Sequence, residues 1–133
     1  MKTTKFNHNT SFNPPAPVID VSFLRPLSRE ATNGIRISAL IDSGADITAV
    51  PQGVVDRLRL YPVDEILVAG YTGEIIRELV YSVAIVIANL KPQIVKAVGY
   101  RGNDIALIGR DLINQWLLVL NGKQQVFEIS VND

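Results

Sequence analysis

The chain has 133 residues, the size of one compact domain, and its 47% hydrophobic and 20% charged residues are the balance of a globular rather than a disordered protein. Thirteen Lys plus Arg offset thirteen Asp plus Glu with no basic stripe, which argues against a nucleic-acid partner. There is no Cys, which excludes thiol catalysis, disulfides and thiolate metal sites, and the single His, His8, sits in a polar N-terminal stretch, which argues against a His-based triad or a His-rich metal site.

Residues 1–17 are rich in Asn, Thr and Pro and read as a flexible arm, with residues 18–133 as the folded domain. "PVIDVSF" then alternates, Ile19, Val21 and Phe23 on one face and Val18, Asp20 and Ser22 on the other, which is a strand. Pro26 and Asn33-Gly34 break and turn the chain. "GIRISALID" alternates again, with Ile35, Ile37, Ala39 and Ile41 facing one way and Asp42 ending the strand on the face of Arg36, Ser38 and Leu40. Pro51 stands at a plausible first helical position, and Val54, Val55 and Leu58 share the apolar side of a short helix that Gly53 weakens. Two β-rich segments follow with Gly70, Tyr71, Thr72 and Gly73 between them, a hairpin signal. "PQIVKAVGY" is a further strand. "DIALIGRDLINQW" runs from a buried strand into a short helix whose Leu112, Ile113 and Trp116 lie on one face, with Trp116 packing it onto the core. Asn121-Gly122 then separates two last β runs, the strongest short hairpin cue in the chain.

Many short strands, two short helices and glycine at most corners predict a mostly β domain, a small barrel or closed sandwich. The longest apolar run, near residues 83–90, falls short of the roughly 20 residues that span a bilayer. The N-terminal stretch lacks the apolar segment of a signal peptide. The expectation is a soluble cytoplasmic protein with no membrane partner.

"ALIDSGADITAV" places an acid at the end of an apolar strand and a second, Asp46, four residues on. Aspartate is almost never buried without a partner, so Asp42 is a candidate functional group. Asp-Ser-Gly by itself is common, usually as a turn in which the Asp caps backbone amides. Paired with "ALIGRDLI" about sixty residues later, the segment resembles the signature of the retropepsin-like aspartic peptidases, the single-domain relatives of retroviral proteases.

The resemblance implies a small closed acid-protease barrel with one or two short helices, active as a homodimer on a peptide or protein substrate, with no cofactor and no metal. The catalytic segment is Asp42, Ser43 and Gly44, and Asp42 of each chain supplies half of a carboxylate dyad, held dry. The Ser43 hydroxyl braces the two loops across the dimer axis. Ala45 and Asp46 contact substrate, as do Gly70, Tyr71, Thr72 and Gly73 at the tip of a flap. Arg110 and Asp111 give structural support, Arg110 through an ion pair with Asp46 whose truncation would cost ~3–5 kcal/mol if buried. Dimerisation through an interleaved terminal sheet does not carry over directly, because the chain is longer at its start, although "VFEISV" has the β character such a sheet needs.

Two rival functions stand beside the endopeptidase. One is a non-catalytic peptide-binding or dimerisation module on the same fold. The other is a hard-metal site at Asp42 and Asp46, for which Asp-x-x-x-Asp with apolar flanks is a poor ligand pattern.

Overall fold

The computed structural model describes residues 1–27, 34–70 and 72–132. Asn33 of the expected turn and Tyr71 of the expected flap lie outside the described residues. In chain order the elements are β1 (Lys2–Asn7), β2 (Val18–Leu24), β3 (Ile35–Ile41), β4 (Ala49–Pro51), α1 (Gln52–Arg57), β5 (Pro62–Ala69), β6 (Ile75–Ile87), β7 (Gln93–Tyr100), β8 (Ala106–Ile108), α2 (Arg110–Ile113), β9 (Leu117–Asn121) and β10 (Val126–Val131).

Seven strands form one sheet in the order β2-β3-β8-β4-β7-β6-β5, and β2 also pairs with β6, from Val21↔Ile87 to Leu24↔Ala84. That second pairing rolls the sheet into the closed barrel expected from the strand pattern. The thirteen-residue β6 makes it possible: its first half pairs with β5, its middle with β7 and its end with β2.

Alternation does the sorting. In β2, Val21 and Phe23 point into the barrel while Asp20 is exposed, and in β3 Ala39 and Ile41 are buried while Arg36 is exposed. Phe23, Val83, Ile85, Ile108 and Leu112 are almost wholly removed from water, each such side chain contributing ~1.5–3 kcal/mol. Helix α1 lays Val54 and Val55 on this core, joined by Leu58 just beyond its end. Pro51 caps α1 rather than opening it, because its backbone is extended and still paired with Tyr100 as the last residue of β4.

The N-terminus differs from the expectation of a flexible arm. Residues 2–7 form β1, which pairs along its whole length with β10, so that the second sheet runs β1-β10-β9. "KTTKFN" carries one large apolar side chain, which is why composition reads as an arm. Phe6 stacks on the fully buried Phe127 with ring centroids 5.1 Å apart, and Thr3 and Ser130 share a 2.7 Å hydrogen bond between hydroxyls. The connection to β2 is tied as well, since the amide of Asn9 donates to the Ala16 carbonyl at 2.8 Å.

Candidate active site

Strands β3 and β8 run parallel, with Ile41 opposite Ile108. The residues that follow, Asp42 and Gly109, therefore leave the sheet side by side, although sixty-seven positions apart in sequence. The Asp42 amide donates to the Ile108 carbonyl at 2.9 Å, one more rung of the ladder before the chain turns. The turn closes when the Ala45 amide donates to the Asp42 carbonyl at 3.1 Å. The Gly44 amide donates to Asp42 Oδ1 at 3.0 Å. Among the described residues, no bond from elsewhere in the chain reaches Asp42 Oδ2. The side chain is half-buried in the single chain, and the dry setting expected of it is that of the paired loops.

Gly109 allows the two segments to meet. A Cβ there would lie 2.7 Å from the carbonyl carbon of Ile47 and 3.0 Å from the Ala45 carbonyl oxygen, closer than atoms pack. Its φ of −90° is open to any residue, so the requirement is space rather than backbone freedom. Across this contact the Arg110 amide donates to the Ala45 carbonyl at 2.9 Å. The guanidinium then braces the loop from the side: Nη1 donates to the Ser43 carbonyl at 2.7 Å, and Nη2 contacts Asp46 Oδ1.

The Asp46–Arg110 ion pair is exposed, with the Asp46 side chain 84% accessible. The ~3–5 kcal/mol of a buried pair therefore does not apply to the single chain, where an exposed pair contributes ~0–1 kcal/mol. Asp111 is the stronger fastening. Its carboxylate accepts from the Thr48 hydroxyl at 2.8 Å, the Thr48 amide at 3.1 Å and the Leu112 amide at 3.0 Å. Thr48 Oγ in turn accepts from the Gly109 amide at 3.2 Å, and Thr48 is 0% exposed. Sequence reasoning passed over Thr48, yet a signal was there: a hydroxyl in the apolar run "ITAVP" must find partners if its neighbours are core.

The structure thus brings Asp42, Ser43, Gly44, Ala45 and Asp46 together with Arg110 and Asp111. The flap tip, described at Gly70, Thr72 and Gly73, makes no hydrogen bond to this group. Its turn is closed by the Gly70 amide on the Glu74 carbonyl at 2.8 Å and the Gly73 amide on the Gly70 carbonyl at 3.1 Å, with Gly73 at φ 85°. Among the described residues, no hydrogen bond joins Gly70, Thr72 or Gly73 to the Asp42 loop. The arm behind this tip exposes Leu67, Val68, Ile75 and Ile76. A cavity of about 450 Å³ sits elsewhere, lined by Ile85, Leu90, Trp116 and Val131, and no residue of the loop faces it. Trp116 there is half-buried against the core. Among the described residues no three His, Cys, Asp or Glu side chains are grouped to hold a metal ion, and no helix is long and apolar enough to cross a membrane.

A family model described as aspartyl protease matches residues 31–112, which contain both the Asp42 loop and the Gly109–Asp111 segment. The chain belongs to this family. No curated protein matches the chain. Among solved structures, a retropepsin-like aspartic protease from Rickettsia conorii superposes with a TM-score of 0.61 at 14% identity, covering 96% of this chain and 90% of that one. The EIAV protease in complex with the inhibitor HBY-793 superposes with a TM-score of 0.54 at 18% identity, over 74% of this chain and 86% of the other. At these identities the likeness is one of fold, and the fold of this aspartyl protease family member is retropepsin-like. Family and fold together support peptidase activity in general terms.

Proposed function

We propose that the chain is an aspartic endopeptidase whose active unit is a homodimer, with the Asp42 carboxylates of two copies facing each other across the axis. One observation carries this reading: an Asp-Ser-Gly loop is held rigidly on parallel strand ends, with one carboxylate oxygen bonded to Gly44 and the other free of bonds from elsewhere in the described chain. The chain contains this motif once. A second copy is the economical source of the second acid.

In such a pair the two carboxylates share one proton, since like charges a few ångströms apart do not both ionise cheaply. The ionised Asp42 takes a proton from a water held between them, and the resulting hydroxide attacks the peptide carbonyl carbon. The protonated Asp42 donates its hydrogen bond to the carbonyl oxygen as negative charge develops there. The amine leaves with a proton returned from the dyad, so no covalent intermediate and no cofactor enter. Ser43 braces the loops across the axis. Ala45 and Asp46 receive the extended peptide backbone, and the hairpin bearing Gly70, Tyr71, Thr72 and Gly73 closes over it. The hairpin exposes apolar side chains on both faces, Val68 and Ile76 on one and Leu67 and Ile75 on the other, so the face turned to the substrate suits apolar residues in alternate positions. Action in the cytoplasm is part of the same proposal.

The test is a digest of a proteome-derived peptide pool by the wild type and by Asp42→Asn, with sedimentation of both. Cleavage by the wild type alone is expected, with a dimer in both samples. Cleavage that survives Asp42→Asn removes the assignment. Binding of peptides with no cleavage by either protein would replace it with a non-catalytic module.

A further inference from the structure

The cavity of about 450 Å³ lies at the seam between the barrel and the β1-β10-β9 sheet. Ile85 and Ile87 reach it from the end of β6, and Leu90 from the turn that follows. Val131 comes from the end of β10, and Trp116 from the segment between α2 and β9. These five make an apolar wall, and the volume falls within the roughly 300–1,000 Å³ of small-molecule sites. Lys2 and Lys91, both exposed, complete the lining on the solvent side, and no Asp or Glu belongs to it. Lys2 Nζ donates to the Asn89 carbonyl at 3.1 Å, and among the described residues no carboxylate pairs with either lysine. Trp116 Nε1 is buried and has no hydrogen-bond partner among those residues.

Three features without a counterpart thus meet in one place: an apolar wall, two cations with no anion, and an indole N–H with no acceptor. We infer that this cavity binds a single-chain aliphatic carboxylate, its hydrocarbon on Ile85, Ile87, Leu90 and Val131 and its head group toward Lys2 and Lys91. The hydrocarbon removes apolar surface from water on both sides of the contact. A carboxylate brings acceptor oxygens to a place where donors are in excess, and bonds between two charged groups are the stronger ones. A peptide suits the wall less well, because its backbone amides would be buried there without partners. A cationic amphiphile meets two like charges. No residue of the Asp42 loop lines the cavity, so the site is separate from the one proposed for substrate and stands without that reading.

The probe is octanoate, kept well below the concentration at which it forms micelles. Trp116 is the single tryptophan of the chain, so its emission reports on the cavity directly. Octanoate is expected to move that emission to shorter wavelength along a saturating curve and to raise the melting temperature as its concentration rises. 1-Octanol should bind about tenfold more weakly, for want of the charged bond, and octylammonium and acetyl-trileucine should give no saturating shift. No saturation with octanoate, or an equal response to octylammonium or to the peptide, overturns the inference.

Two variants locate the ligand. Lys91→Glu, at an exposed position, is expected to weaken octanoate about tenfold and to leave 1-octanol unchanged. Octanoate binding that withstands this reversal refutes the placement of the head group. Val131→Phe sets a ring into the cavity and should abolish the shift with both ligands while keeping the wild-type circular dichroism spectrum. A folded Val131→Phe that still binds refutes the site, and should that variant not fold, Lys91→Glu decides. Asp42→Asn is expected to bind octanoate as the wild type does. Loss of binding there would put the ligand at the Asp42 loop and overturn the inference, whereas failure of the peptidase reading would leave these curves unchanged.

Discussion

Asp42 has two oxygens with different surroundings: Oδ1 takes the Gly44 amide, and Oδ2 has no bond from elsewhere in the described chain. The side chain is thus aimed by its own turn and left with capacity to act. Thr48 does the opposite work, spending its amide and hydroxyl on Asp111 and accepting the Gly109 amide, so that nothing is left for a ligand. Thr48→Val keeps the shape and deletes the hydroxyl. It should destabilise the fold by ~1–3 kcal/mol in denaturant titration, because the Asp111 carboxylate and the Gly109 amide both lose a partner in a buried place. A second residue-scale prediction concerns Tyr100, whose hydroxyl donates to the Ile105 carbonyl. Burial first, and then the nearby Asp104 carboxylate, raise its pKa above the usual 10.0. The folded state therefore holds this proton more tightly than the unfolded chain. Its contribution to stability is complete below pH 10.0 and fades as pH climbs from there through the raised value. Melting temperatures of the wild type should fall across that window more steeply than those of Tyr100→Phe.

At the scale of elements, the parallel pairing of β3 with β8 matters most, since it converts two distant motifs into neighbours. A chain that paired these strands in any other register would carry the same residues and no site. Strand β1 is the element that composition conceals. Its stability comes from backbone pairing with β10 and from one aromatic, so Phe6→Ala should lower stability by ~2 kcal/mol, the scale of a half-buried aromatic and its stacking partner. Chemical denaturation measures this directly, and a change near zero would mean that β1 rests on the sheet without anchoring it. The β5–β6 hairpin is the contrasting case. Its near half belongs to the barrel wall through Val80 and Tyr81, and its far half carries Leu67 and Ile75 into solvent. An arm with so little core beneath it opens at small cost, which is what the proposed cover over a substrate would require.

At the scale of the whole molecule, the proposed dyad makes activity a property of pairs. Asp42→Asn mixed with wild type at equal amounts, with total chain concentration held fixed and exchange complete, leaves about a quarter of the dimers with two aspartates. Cleavage should fall to that fraction. A fall to one half, the value for simple dilution, would mean that each chain works alone. Cleavage per chain should also rise with protein concentration until dimerisation saturates.

The residues themselves determined a good deal. Period-two alternation in "VIDVSF" and "GIRISALI" dictates which faces are buried, because a strand has only two. Asp-Ser-Gly-Ala-Asp and Gly-Arg-Asp also announce their chemistry locally: each needs its own side chains and a turn. Other features were beyond local reading. Whether Asp42 meets Gly109, whether "KTTKFN" stays an arm or becomes a strand, and whether Asp46–Arg110 is buried or exposed depend on partners dozens of residues away. Thr48 shows the boundary within one residue, for its apolar neighbours foretell burial while its bonds to Asp111 and Gly109 exist only in the folded barrel. Those features were decided by tertiary structure, since strand pairing and packing select among arrangements that local propensity leaves equal in energy.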